Sequence, residues 1–186
     1  MKLKTAIELY GGGAGSGCHG ENCGRPSTGL SDDLKQQMRE LGYVKEVGKY
    51  SADLYHASDD GKLKDHAGRG IFLSDDKDAV SQFGSKIVEH RVDVQNAIKF
   101  DSAHSMFRYL LGNEGAQEWQ GIRYARVPGT KMMNQRETTD PEYVKGLMRL
   151  ETKAAEAARS MGYDAVISPF TRSADQVWVL DRKGVR

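Results

Sequence analysis

Cysteine is scarce in this 186-residue chain: there are two, Cys18 and Cys23, both in one glycine-rich stretch. Two cysteines cannot staple a domain of this length, so the fold must rest on an apolar core. Long apolar runs are missing too. None approaches the roughly 20 residues that a membrane-spanning helix needs. The opening Met-Lys-Leu-Lys is followed by an apolar stretch, Thr5–Tyr10, shorter than a secretory core of about 7–15 residues. A cytosolic chain with no membrane partner is therefore expected. Charge of one sign is also lacking. The formal net charge is +1, so no global field draws the chain to nucleic acid or to lipid, and a nucleic-acid target is disfavoured.

What is present begins with glycine. Residues 11–29 read GGGAGSGCHGENCGRPSTG, dense in glycine and serine and without hydrophobic periodicity. Such a composition loses too much backbone entropy to be ordered by its own contacts. Residues 1–29 are expected to be a flexible segment, and residues 30–186 the domain. Cys18, His19 and Cys23 offer three zinc ligands, two of them adjacent, where a structural site wants four. No metal is expected.

The rest mixes helices and strands without regular alternation, which predicts an α+β domain. Ser31-Asp32-Asp33 caps a helix carrying Leu34, Met38 and Leu41, with Gly42 as its stop. Short strands are expected at Leu54–His56, Gly70–Ser74 and Lys86–Val94, with a helix from Lys77 to Phe83 between the last two. Ser102–Leu111 has the apolar spacing of a helix, and Gly112–Met133 has no clear period. Asp140-Pro141 opens the longest helix, which ends at Gly162. Strands at Asp164–Ser168 and Asp175–Asp181 close the chain.

Three of these segments carry chemistry. Alone, each has an ordinary structural explanation: a strand-end histidine, core phenylalanines, a surface glutamine. Their order and spacing resemble the ADP-ribosyltransferases, especially the poly(ADP-ribose) polymerase-like branch. Leu54-Tyr55-His56-Ala57-Ser58 resembles that family's first NAD⁺ motif. Gly70-Ile71-Phe72-Leu73-Ser74 with Lys77–Phe83 resembles the second, and Ala174–Asp181 the third. The resemblance implies a split β-sandwich of two small antiparallel sheets with flanking helices, and NAD⁺ held as co-substrate between them. By it, His56 holds ribose hydroxyls and the backbone at Ala57 and Ser58 grips the carboxamide. Phe72 and Phe83 sandwich the nicotinamide, with Ser74 contributing a hydroxyl nearby.

The family's catalytic glutamate corresponds to Gln176. An amide keeps a hydrogen bond but lacks the charge that offsets a developing ribose cation. Three explanations stand side by side: a slow or silent member, a neighbouring carboxylate such as Asp175 taking the role, or an introduced Glu-to-Gln change. Arg69 is read either as a pyrophosphate contact or as a solvated loop arginine. The pattern GxGSGxxGxxxGRP resembles glycine-rich segments of tailed-phage head proteins. That implies a phage origin, and action on a host protein or residence among capsid components. A monomer is expected. An enzyme, a binding module and a virion component remain open on this reading.

Overall fold

The structure, a computed structural model, describes residues 30–65, 68–126, 133–137, 140–169 and 174–186. The expectations for residues 1–29, including Cys18, His19 and Cys23, lie outside these. Among the described residues no group of His, Cys, Asp and Glu is placed to hold a metal ion, and no helix is long and apolar enough to cross a membrane.

The first helix, α1 (Asp32–Glu40), starts where its sequence says: the Ser31 side chain accepts a hydrogen bond from the Leu34 amide, and Met38 is buried. Two long strands follow, β1 (Val44–Ser58) and β3 (Lys86–Phe100), with the short β2 (Ile71–Ser74), α2 (Lys77–Val80) and a 3-10 turn (Ser81–Phe83) between them. Helix α3 (Ala103–Arg123) carries a break at Gly112. A small ribbon of β4 (Tyr124–Arg126) and β5 (Met133–Gln135) comes next. Helix α4 (Pro141–Ser160) is capped by Asp140. Strands β6 (Ala165–Pro169) and β7 (Asp175–Val179) complete the fold.

The α+β class is as expected, but the strands do not form two separate antiparallel sheets. Five of them close into one barrel in the order β1-β2-β7-β6-β3. The physical reason is in β1 and β3. They pair antiparallel at thirteen positions, with register shifts around Gly48. Such shifts increase twist and let a long hairpin curl. The far end of β3 then meets β6 in parallel at Ala97↔Ala165, Ile98↔Val166 and Lys99↔Ile167. Parallel neighbours need a long crossover, which α3 and α4 supply.

Closure is uneven. Strand β7 is zipped to β2 at four positions and to β6 at five. Between β1 and β2 there is a single pair, Tyr55↔Ser74. The barrel is thus a long hairpin and a three-stranded sheet joined firmly along β3/β6 and barely along β1/β2.

Two apolar clusters hold this arrangement. Inside the barrel, side chains from all five strands meet, among them Leu54, Leu73, Val92, Ala165 and Val177. Ala97 and Ala165 are fully buried, as befits a lumen too narrow for larger side chains at that level. On the outer wall, α1, α3 and α4 pack through Met38, Phe107, Leu150 and Ala154 against Phe100, Val166 and Trp178. The α3 break explains why its second half is hard to read from sequence: Gly112, Gly115 and Gly121 dilute helix propensity there.

Gly70, which leads into β2, has φ +100°, and a Cβ there would lie 2.6 Å from the carbonyl oxygen of Val179. Replacement by alanine therefore strains the backbone and presses on β7. Gly70→Ala should lower stability by of order 1–3 kcal/mol, read as a reduced urea midpoint at unchanged slope.

Candidate functional site

Successive residues of a strand face opposite sides, which decides how the motif residues are shared out. Leu54 lies inside the barrel, so His56, two residues on, shares the inner face. His56 is 4% exposed. Its Nδ1 lies 2.9 Å from the carbonyl oxygen of Phe72. A carbonyl only accepts, so Nδ1 carries the proton, and in the neutral ring Nε2 is the acceptor. This bond crosses the β1/β2 seam just beside its one registered pair.

On β2 and β7, Leu73 and Val177 point inward, so Phe72, Ser74, Gln176 and Trp178 share the outer face. Ser74 and Gln176 are direct partners. Tyr55, Ser74 and Gln176 form one row across β1, β2 and β7. Two strand spacings put the ends of that row about 10 Å apart. The structure therefore brings His56 and Gln176 near each other along the wall, but on opposite sides of it.

The hydroxyls have local partners. Ser74 Oγ donates to the Asp175 carbonyl at 2.8 Å and accepts from the Asp76 amide at 3.2 Å, which turns the chain out of β2. Ser58 Oγ donates to the Lys62 carbonyl at 3.1 Å, folding the chain back after β1. Phe72 is half-buried, with its ring edge-on to Trp178 at 5.0 Å. Phe83, at the end of the 3-10 turn, is 58% exposed. The two rings differ sharply in setting: Phe72 is seated in the wall, Phe83 stands at the surface. The backbone at Ala57 and Ser58 is buried with its side chains, next to that turn.

Two expectations need correction. Asp175 is not placed to stand in for the glutamate at position 176. Strand alternation sends its carboxylate to the opposite face, where it pairs with Lys99, while its amide donates to Asp75 Oδ1 at 3.0 Å. Nor is Arg69 a solvated loop residue. Its guanidinium pairs with Glu151 of α4 at 2.6 Å, both side chains about 11% exposed, and lies 5.5 Å from the centroid of Phe72. Burial raises the Glu151 pKa, and Arg69 opposes that rise. Sequence reasoning missed this pair because 82 residues separate its members. A glutamate within the apolar stripe Leu147-Leu150-Ala154 was the available signal. Glu151→Ala should cost about 3–5 kcal/mol, the usual penalty for removing one member of a buried ion pair, measured by chemical denaturation.

His90 pairs with Leu54 and shares the barrel's inner face with His56. Its pKa is lowered, chiefly by burial; a backbone bond to Arg186 opposes this, and the neighbouring His56 adds to it. His104 is lowered as well, again mainly by burial. A depressed histidine stabilises the fold above the unfolded value of 6.5. That contribution is lost as pH falls below it through the lower folded value. The urea midpoint should drop between pH 7.5 and pH values below about 6, and His90→Gln should flatten part of that drop, with His104 carrying the rest.

Comparison with known proteins adds little to this geometry. No family model matches the chain, and no curated protein matches it. A solved structure described as the crystal structure of an anti-CRISPR protein is similar at 16% identity, over 73% of this chain and 92% of that one, with a TM-score of 0.39. At that score the likeness says nothing further about fold or activity.

Proposed function

We propose that this chain is a phage-encoded mono-ADP-ribosyltransferase-like protein that takes NAD⁺ as co-substrate and modifies a host protein. The observation that carries the reading is the row Tyr55–Ser74–Gln176. It sets the three motif-bearing strands side by side, at the one place where the barrel wall is held by a single pair. The finer fold description follows the same line: the hairpin β1/β3 and the sheet β2/β7/β6 act as the halves of a split sandwich, with the ligand laid across the seam.

The residues fit that role in kind. Phe83 presents an exposed ring to a flat heterocycle, and Phe72 supplies a second aromatic from the wall. The Ala57 backbone offers amide and carbonyl groups to a carboxamide. His56, with its Nδ1 proton given to Phe72, has an acceptor nitrogen on the inner side of the wall, so it meets a ribose hydroxyl only where the ligand crosses the seam, while Gln176 meets the ligand from the outer side. Transfer breaks the nicotinamide–ribose C–N bond, and nicotinamide departs with the electron pair. A nucleophile of the target forms the new bond to the ribose carbon and gives up its proton to solvent. Gln176 can hydrogen-bond the 2′-hydroxyl but brings no negative charge to the ribose, and Asp175 is committed to Lys99 on the other face.

That absence of charge favours a second reading, a module that binds NAD⁺ or ADP-ribose with little turnover. Calorimetry with NAD⁺ and a nicotinamide-release assay separate the two, using the wild type beside Gln176→Glu. The expected result is binding by both, with release raised by about 10²–10³ in the glutamate variant. Binding with no release from either supports the module. No binding by either removes the NAD⁺ reading.

A further inference from the structure

The stretch between β2 and β3 forms an arch over the seam. It leaves β2 through Ser74, whose hydroxyl accepts the Asp76 amide. Asp76 then caps α2 by accepting from the amides of Asp78 and Ala79 at 2.8 and 3.2 Å. Within the turn, Ser81 Oγ donates to the Asp78 carbonyl and Gln82 Nε2 to the Ala79 carbonyl, at 2.7 and 3.0 Å. These bonds make the arch stiff. It lands on β1 at Gly84. A Cβ on Gly84 would lie 2.4 Å from both Cα and the carbonyl carbon of Ser58, and 2.6 Å from its nitrogen. Backbone rests on backbone there, with no flexible side chain to give way. Ser85 secures the landing, its amide donating to Asp59 Oδ1 at 3.3 Å. The φ of Gly84 is 168°, an extended value open to any residue, so the requirement for glycine is one of space alone.

We propose that Gly84 is a positioning residue for the nicotinamide end of the ligand. By letting the arch touch the backbone of Ser58, it fixes the distance between the Phe83 ring and the Ala57–Ser58 backbone. This rests on the NAD⁺ reading above and adds a residue that the family resemblance does not assign. A methyl group at position 84 lifts the arch. Phe83 then moves away from β1, while the rest of the barrel keeps its pairing. The loss should fall on the part of the ligand that Phe83 stacks against, and not on the ribose and phosphates.

The test compares wild type, Gly84→Ala and Phe83→Ala by calorimetry with three probes: NAD⁺, nicotinamide and ADP-ribose. In Gly84→Ala and in Phe83→Ala alike, affinity for NAD⁺ and nicotinamide should fall roughly three- to tenfold, the worth of one aromatic stacking contact. Affinity for ADP-ribose should stay within about twofold. Equal losses for ADP-ribose and nicotinamide in Gly84→Ala would mark a general loss of structure and overturn the proposal, as would no loss for either. A second measurement needs no variant. Nicotinamide titrated into the wild type should shift the amide resonances of residues 57–58 and 83–85 together; shifts in only one of these segments overturn the proposal. If the wild type binds neither NAD⁺ nor nicotinamide, the NAD⁺ reading itself falls, and this role of Gly84 with it. If the wild type binds NAD⁺ and Gly84→Ala binds nicotinamide as well as wild type does, the role of Gly84 alone falls.

Discussion

The thirteen-position ladder between β1 and β3 is the constraint on which the rest of the molecule depends. It makes a long, twisted hairpin whose two edges must be satisfied elsewhere. One edge, along the end of β3, takes β6. The other, along β1, takes a single position of β2. The remaining pairings of the barrel follow from this: β7 fits between β2 and β6, and the helices cover the outer wall where Phe100, Val166 and Trp178 would otherwise meet water. The weak seam is the remainder of that construction, and the motif residues sit beside it.

Charges on the two faces of the wall have different work. On the outer side, Glu151 and Arg69 neutralise each other in an apolar setting and bear on Phe72. On the inner side, across β6, Lys99 of β3 holds Asp175 of β7, and burial together with the carboxylates of Asp75 and Asp175 raises the pKa of Tyr50. Neither arrangement delivers a carboxylate to Gln176. A glutamine in that place hydrogen-bonds without adding a charge to an outer face where the Arg69–Glu151 pair is already balanced.

What the sequence made legible was local. Ser31 and Asp140 announce their helices because a cap needs only its own neighbours, and the apolar spacings after them continue the signal. Strands β2 and β7 are short, bounded and apolar, and were readable for the same reason. The first half of β1 was not, because Lys45 and Glu46 are both exposed and the register shifts around Gly48 break its alternation. The second half of α3 was hidden by its glycines. The order of the motif segments could be read, and so could their residue types. The side of the wall each occupies could not, because facing is set by a barrel that pairs residues about a hundred positions apart. The tie between Asp175 and Lys99, the burial of Arg69 and the landing of Gly84 on Ser58 all belong to that non-local level.

The parallel pairing of β3 with β6 also bears on how the chain reaches this structure. Strands β1 and β3 lie near each other along the chain and can zip early. Strand β6 reaches β3 only after α3 and α4 have folded back, and β2 waits still longer for β7, since Ile71 pairs with Val179. Contacts of such high sequence separation carry a large loop-closure entropy and form late. The ladder between β2 and β7 is therefore the last to close in folding, although the seam beside it joins residues only 19 apart.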